Sequence, residues 1–442
     1  MLISHISDIH LGYAQFNLQE REEDLYDVFE ESVNKSIHEH VEAVILAGDI
    51  FHNPRPNGAA IIRLARELKK LREKSIPVYF VLGEHDISRT NDVPIPYLFH
   101  NLGLAKRLQP YEPIQSGNLL IYGFNKERKS NIDYGLLTPF RKLEKKVKED
   151  LNKVSIGNKK IKTVLVLHQG LYDFNKYAGE VFATDLPHGF DYYAMGHYHD
   201  HLQKRFPELD NNLVAYPGSL DLGHNEPISE VDKGFLLVDL SDDSEDIITH
   251  WIKIENRRTQ LARTMDYCDL DKFLESVSSA SYGKKPILDI KIKGKDVDTK
   301  VLAAELMKLD KSVLYYAWSI VDEENPSGFN FDVHADFDID KEMSKLISGT
   351  LKSEKLSNLA LDLVEMINAE GFNEAKDGEK NKNKKIVDYL WKYYENNKRD
   401  YGNRSIDGSG GNSVDGHTDI QIEGKEERRD AGLKHDKKNN VK

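Results

Sequence analysis

The sequence predicts an α/β fold, and three observations carry that prediction. Apolar strand-like runs alternate with amphipathic helical stretches over the first 86 residues. Each apolar run ends in a short cluster of Gly, Asp, Glu or His. The same strand-then-cluster pattern returns between residues 163 and 239. Strand, helix, strand is the signature of an α/β unit. Ligands in such folds collect at the carboxyl ends of the strands, where all of these clusters fall.

Leu2, Ile3 and Ile6 form a short buried strand that runs into Asp8 and His10. Alternate side chains on an extended chain share one side, so an Asp-x-His pair aims a carboxylate and an imidazole at a common point. Gly12 breaks the strand. Residues 20–39 read as a helix with Leu25, Val28, Phe29 and Val33 on one stripe. Residues 41–47 are a second buried strand, ending in Gly48-Asp49-Ile-Phe-His52, with Pro54 and Pro56 closing the loop. Residues 59–74 form a helix carrying Ile62, Leu64, Ala65, Leu68 and Leu71, with Arg63, Arg66, Lys69, Lys70, Arg72 and Lys74 outside. The third strand, 78–82, ends in Gly83-Glu84-His85-Asp86. Further on, strand 163–167 delivers His168, and strand 191–195 leads into Gly196-His197-Tyr-His199. Strand 213–216 enters the turn Pro217-Gly218-Ser219, and 234–239 is one more strand.

The 442 residues suffice for two or three domains, and 39% apolar content supports a real core. A polar break at 241–246 marks a domain edge, so the first domain is expected over 1–245. A small α+β domain follows over 256–325, with strands at 287–292 and 313–321 around a helix at 301–309. Over 341–398 two amphipathic helices are expected. The first carries Leu356, Leu359, Leu363, Met366 and Ile367, and the second Ile386, Val387, Leu390, Trp391 and Tyr394. Single apolar faces of this kind pack on each other or dock on a partner. The tail 401–442 is Gly-, Ser-, Asp- and Lys-rich without periodicity and is expected to be disordered.

Composition excludes several classes. No apolar run approaches the roughly 20 residues that span a bilayer. The N-terminus enters a strand at once, with no signal peptide, so a cytoplasmic location is expected. Cys268 is the single cysteine, which excludes an internal disulfide and any Cys-based zinc or iron–sulfur site. A net charge of −13 argues against a wholly basic nucleic-acid coat and leaves room for a local basic surface.

Five strand ends contribute Asp8, His10, Asp49, Glu84, His85, His168, His197 and His199. Carboxylate plus imidazole is a ligand set for transition metals. The set exceeds the needs of one ion and suits two ions that share a carboxylate, the arrangement that hydrolyses phosphate esters. His38, His40, His188, His201 and His250 lack this context and read as solvated residues, while His52 and His100 stay open. Arg55 and Arg89 lie just past the second and third loops, where their charges could reach the phosphates of a substrate.

Asp8-x-His10, Gly48-Asp49, Gly83-x-His85-Asp86, His168 and Gly196-His197-x-His199, in this order, resemble the calcineurin-like metallophosphoesterase signature. The stretches His10-Leu-Gly-Tyr13, Gly48-Asp-Ile-Phe-His52 with Arg55-Pro56, Leu167-His-Gln-Gly170, Asp185-Leu-Pro187, Tyr192-Tyr-Ala-Met-Gly-His197 and Tyr216-Pro-Gly-Ser-Leu220 narrow it. They resemble the archaeal branch of the meiotic-recombination-eleven (SbcD-type) nucleases, and the resemblance covers about residues 1–325.

The resemblance implies a four-layer αββα sandwich with a small capping domain and C-terminal helices. It implies two manganese ions per subunit. One would be held by Asp8, His10, Asp49 and His199, the other by Asp49, position 84, His168 and His197, with Asp49 bridging. It implies that His85 is a catalytic non-ligand acting on the leaving oxygen, that Asp86 orients the His85 imidazole, and that His52 handles the duplex end. The implied activity is 3′-to-5′ exonuclease and endonuclease action on double-stranded DNA ends, together with an SMC-like coiled-coil ATPase of the SbcC type. The implied roles of 256–325 and 341–398 are placing DNA and gripping the ATPase, and the implied assembly is a homodimer through 59–74 and 96–102. One position departs from the family pattern: Glu84 stands where the family has Asn. A DNA-end scaffold with weak or no catalysis is the alternative that this departure leaves open.

Overall fold

A computed structural model describes residues 1–88, 92–127, 137–153, 161–223, 226–241, 246–294 and 297–321, together with Ser357, Leu359, Leu363 and Leu390. The chain divides into two compact units, Met1–Phe329 and Asn330–Lys442, and the following concerns the first. The expected helices of 341–398 and the tail 401–442 lie outside the described residues, apart from the four named positions, which are helical.

Strands β1 (Leu2–Ile6), β2 (Ala43–Ala47) and β3 (Val78–Val81) alternate with helices α1 (Gln19–His38) and α2 (Gly58–Glu73). The boundaries lie within a residue or two of those read from periodicity. Helix α2 starts where the Asn57 side chain accepts the Ala60 N–H, an N-cap that satisfies one orphan donor. Helix α1 lacks such a cap but carries Glu20 and Glu22 in its first turn and Lys35 and His38 in its last, each favourable to the helix dipole.

A short helix α3 (Pro96–Asn101) and the short strand β4 (Lys106–Arg107) follow. Next come β5 (Ile114–Ser116), β6 (Leu119–Phe124), α4 (Leu137–Lys153), β7 (Lys162–His168) and β8 (Tyr192–Gly196). The body closes with β9 (Leu202–Phe206), β10 (Asn212–Tyr216), β11 (Gly234–Asp239) and β12 (Ile248–Lys253). Two six-stranded sheets result, ordered β12-β11-β1-β2-β3-β4 and β5-β6-β7-β8-β10-β9. Strand β12 extends the first sheet past the polar break at 241–246, which joins two paired strands.

Strand alternation builds the layers. On β1 and β2, Ile3, Ala43, Ile45 and Ala47 face inward against Ile121, Val164, Val166 and Ala194 of the second sheet. Ile6, Val44 and Leu46 face outward onto Leu25, Phe29, Leu64 and Leu68 of α1 and α2. On the far side, Leu165, Leu167 and Tyr193 pack under Phe140, Leu143 and Val147 of α4. The order helix, sheet, sheet, helix is the four-layer αββα sandwich. His5 ties the two sheets across the middle: its ring nitrogens lie 2.9 Å from the Tyr192 hydroxyl and 3.1 Å from the Met195 carbonyl. Burial pushes its pKa down to about 3, so the ring is a neutral fastener between the sheets.

A third sheet, all parallel, contains β13 (Gln260–Asp266), β14 (Ile287–Lys293) and β15 (Tyr315–Val321). Helices α5 (Leu270–Ser279) and α6 (Thr299–Leu306) cover it, and Leu274, Leu288, Ile290 and Leu302 form a core of its own. Buried ion pairs join it to the sandwich. Asp24 of α1 takes Arg21 at 2.6 Å and Arg258 at 2.6 Å, and Asp221 takes Arg21 at 2.9 Å and Arg257 at 3.0 Å. Each of these charges is matched, which such burial requires.

Candidate metal centre

The carboxyl ends of β1, β2 and β3 in one sheet and of β7 and β8 in the other meet at one edge of the sandwich. Asp8 and His10 follow β1, Asp49 follows β2, Glu84 and His85 follow β3, His168 ends β7, and His197 and His199 follow β8. The loops are stitched together by the backbone: Asp8 N–H donates to the Gly48 carbonyl at 3.2 Å and His10 N–H to the Asp49 carbonyl at 3.0 Å. The backbone is strained where the ligands sit. Asp8, His10 and Asp49 have φ of 52°, 50° and 49°, and His197 has φ of 107°. Non-glycine residues rarely hold such angles, and they persist only where surrounding structure over-determines them, typically at functional sites.

Close approach explains the glycines before the ligands. A Cβ on Gly48 would come within 2.3 Å of His168 Nδ1, and a Cβ on Gly83 within 2.0 Å of Asp49 Oδ1. The missing side chain of Gly48 lets His168 of the second sheet approach, and that of Gly83 makes room for Asp49 after the neighbouring strand.

The side chains fall into two adjoining groups. In the first, His10 Nε2 lies 3.1 Å from His199 Nε2 and 3.8 Å from Asp49 Oδ2, and His199 Nε2 lies 3.9 Å from Asp8 Oδ1. In the second, Glu84 Oε2 lies 2.9 Å from His168 Nε2 and Glu84 Oε1 lies 3.0 Å from His197 Nδ1, with Asp49 Oδ2 3.5 Å from His168 Nε2. Asp49 therefore stands between the groups. All seven residues expected to ligate come together here, Glu84 among them, with its carboxylate between the two histidines of the second group.

The donor set fits divalent cations. Asp8 and Asp49 are almost fully buried beside each other, and the buried His168 Nε2 faces three carboxylates, Glu84 at 2.9 Å, Asp49 at 3.5 Å and Asp8 at 4.0 Å. Burial pushes the Asp8 carboxyl up. For Asp49 burial acts the same way, but the His168 charge and hydrogen bond outweigh it and bring the carboxyl down to about 2. For His168 burial works against protonation, and the Asp49 and Glu84 carboxylates raise its pKa nevertheless. Sets of three ligand atoms within 4.8 Å of one another include Asp8-His10-His199, Glu84-His168-His197 and Asp8-Asp49-His168. Oxygen and imidazole donors without thiolate suit borderline and hard divalent ions.

His85 sits at the rim, a third exposed, with Nε2 4.0 Å from Asp49 Oδ2. Its Nδ1 lies 2.9 Å from the His52 carbonyl, and its ring stacks on the His52 ring at a centroid distance of 5.1 Å. The expectation that Asp86 orients this imidazole is corrected. Asp86 is buried and turns inward, accepting backbone N–H groups from Ile50 (3.2 Å), Phe51 (3.0 Å) and Gly83 (3.0 Å). Consecutive side chains in a tight turn diverge, so Asp86 ties the second loop to the third, and the His52 carbonyl orients His85. Burial and then the Asp49 charge push the Asp86 carboxyl up to about 7.

Arg55 is exposed and pairs with Asp92 at 2.6 Å; Arg89 lies outside the described residues. His201 is half-buried against Trp251, with Nδ1 3.2 Å from the Tyr216 carbonyl, and is not the solvated residue expected.

Three charged residues around the ligands have no expectation from sequence. Glu226 Oε2 lies 2.8 Å from His199 Nδ1, and Lys233 reaches the other Glu226 oxygen. Burial opposes ionisation of Glu226, but the His199 hydrogen bond and the Lys233 charge draw its carboxyl down to about 2. Lys126, half-buried two residues past β6, lies 2.5 Å from Glu180, 3.4 Å from His197 Nδ1 and 3.7 Å from Glu84 Oε2. A lone charge in a turn carries no periodicity, so no signal in one sequence marks these residues.

Comparison with known proteins agrees with this geometry. Residues 1–201 match the family described as calcineurin-like phosphoesterase. The DNA double-strand break repair protein Mre11 of Sulfurisphaera tokodaii is 32% identical over 374 residues, covering 83% of this chain and 91% of that protein. The protein of the same name from Sulfolobus acidocaldarius is 33% identical over 72% of this chain and 81% of its own. That from Methanococcus maripaludis is 33% identical over 65% of this chain and 77% of its own. Among the described residues, no helix is long and apolar enough to cross a membrane.

Proposed function

Because the chain belongs to the Mre11 family of DNA double-strand break repair proteins, within the calcineurin-like phosphoesterases, we propose that it is a manganese-dependent DNA nuclease. It trims double-stranded DNA ends as a 3′-to-5′ exonuclease and endonuclease, in the cytoplasm, as the partner of an SMC-like coiled-coil ATPase of the SbcC type. The observation that carries this reading is the pair of ligand groups sharing Asp49, with an imidazole, His85, open at their rim.

Asp8, His10, Asp49 and His199 would hold one manganese ion, and Asp49, Glu84, His168 and His197 the other. When bound, such a pair supplies Lewis acidity to a phosphodiester and lowers the pKa of water. The protein's own residues do the rest. Two buried carboxylates and the glycine-tight loops set the spacing of the ligands. The His52 carbonyl accepts a hydrogen bond from the Nδ1–H of His85, so Nε2 is the atom that gains and gives up a proton toward the leaving oxygen. His52, stacked on that ring, is the residue that meets the duplex end.

We assign residues 1–245 to the nuclease body, 256–325 to a capping domain that places DNA, 341–398 to gripping the ATPase and 401–442 to a tail. Arg55 and Arg89 are assigned to phosphates beside the cut. Dimerisation through α2 and α3 is favoured by Ile62, Leu98 and Leu102, which are 61%, 44% and 56% exposed.

The test is a labelled linear duplex incubated with manganese, magnesium or EDTA, with and without the ATPase. Shortening from the 3′ end is expected with manganese and none with EDTA. Duplex that is bound but uncut in manganese would favour the DNA-end scaffold.

Glu84→Asn tests the unusual ligand. Glu84 leaves the loaded site one positive charge poorer than Asn would, which tightens cation binding and weakens attraction for an anionic phosphate. The expected result is weaker manganese binding by calorimetry together with faster cleavage at neutral pH. Unchanged affinity and rate would mean that Glu84 is not a ligand.

A further inference from the structure

We propose that Glu226 is a positioning residue for His199, held in place by Lys233, and that it tightens the cation site containing His199. This rests on the reading of the centre as a two-cation site.

The oriented histidines differ in what stands behind the ring. His168 Nδ1 lies 2.8 Å from the Ala47 carbonyl, and His85 Nδ1 lies 2.9 Å from the His52 carbonyl. Both acceptors are neutral. His197 Nδ1 faces Glu84, a carboxylate of the ligand set itself, at 3.0 Å, whereas His199 Nδ1 faces a carboxylate outside that set, Glu226 Oε2, at 2.8 Å. A carboxylate accepting from Nδ1–H keeps the proton of the neutral ring on that atom. It leaves the Nε2 lone pair toward His10 Nε2, 3.1 Å away, and Asp8. A charged acceptor also makes the opposite nitrogen more basic, and a more basic imidazole is a stronger ligand.

The carboxylate is built in. Gly223 N–H donates to Glu226 Oε2 at 2.5 Å, and a Cβ on Gly223 would fall 2.7 Å from the His199 ring, so the Gly223 backbone lies directly against the imidazole. Lys233 is buried; its ammonium pairs with Glu226 Oε1 and also donates to the His199 carbonyl at 2.8 Å. One ammonium thus holds both the carboxylate and the backbone of the ligand that the carboxylate orients. Ser219 N–H donates to the same His199 carbonyl at 3.0 Å. Ring, backbone and carboxylate are fixed as one unit, with no freedom for the ring to turn over.

The experiment uses the full chain and compares Glu226→Ala, Glu226→Gln and Lys233→Met with the wild type. Manganese binding is followed by calorimetry. The His199 tautomer is read in the metal-free protein from long-range proton–nitrogen NMR correlations. The wild type is expected to show the Nδ1–H tautomer. Glu226→Ala is expected to give mixed tautomers and to weaken one of the two manganese sites by roughly 10- to 100-fold, leaving the other unchanged. Glu226→Gln retains an acceptor oxygen without the charge, so it should keep the tautomer and lose less affinity; it remains informative if the alanine variant fails to fold. Lys233→Met should fall between them. A Glu226→Ala protein that keeps the wild-type tautomer and both affinities would overturn the role. A wild type that binds no manganese would instead overturn the two-cation reading itself.

Discussion

Replacing His85 by leucine lowers cleavage by roughly 10²- to 10⁴-fold, the usual worth of a general acid or base, while both ions stay bound. The geometry separates the two quantities. The ring lies at the rim, with Nε2 4.0 Å from Asp49 Oδ2, and its Nδ1 is engaged by the His52 carbonyl. The part of His85 that supports the ligands is its backbone N–H, which donates to Asp49 Oδ1 at 2.9 Å and survives the substitution. Leucine also keeps an apolar face against the His52 ring. Single-turnover cleavage with saturating manganese gives the rate, and elemental analysis gives the ion content. A variant that loses its metal would show that the imidazole is a ligand.

Asp49→Ala has the larger effect, because it removes the residue common to both groups. Asp49 Oδ2 lies 3.5 Å from His168 Nε2 and 3.8 Å from His10 Nε2, one histidine from each group, and the side chain is almost fully buried. Cleavage should fall by more than roughly 10⁴-fold, since the loss of Lewis acidity adds to the loss of proton transfer. A second readout does not depend on activity. Manganese at a hundredfold excess over its Kd stabilises a folded protein by about 2.7 kcal/mol per site. The wild-type melting temperature should therefore rise on adding manganese and drop again with EDTA, and the Asp49→Ala melting temperature should move little in either direction. An Asp49→Ala protein that still carries two ions would rule out the bridging role.

The residues that gather at the centre are legible in the sequence because strand ends advertise themselves. An apolar run such as Ala43–Ala47, cut off by Gly48 and Asp49, needs no tertiary information to be placed. The stretch between 103 and 162 is not legible, although it holds β4, β5, β6 and α4. Its strand β6 is a short apolar run containing Gly123, which periodicity cannot distinguish from a buried helical segment. Strand β9 is an edge strand with exposed Gln203 and Lys204, so it lacks a hydrophobic pattern. In the small sheet, Ile287–Ile292 was readable by alternation, while β13 and α5 before it were not. In the centre, Glu226 and Lys126 went unread because their histidine partners are 27 and 71 residues away in the chain. Asp86 was misread for the opposite reason: it is adjacent to His85 in sequence and faces away from it in space.

The place of β1 has a consequence for the order in which the molecule is made. On one edge β1 pairs with β2, and on the other with β11, Leu2 opposite Asp239 and His5 opposite Leu236. During synthesis the second partner leaves the ribosome long after the first, so one edge of β1 waits uncovered until about 230 further residues have been made. An open strand edge is a template for wrong pairing, and long-range closure of this kind is slow. The loop bearing Asp8 and His10 gains its final support only when residues 236–239 arrive, later than every other ligand of the centre. A nascent chain therefore carries an incomplete set of ligands until the sandwich closes, and an incomplete nuclease cannot cut.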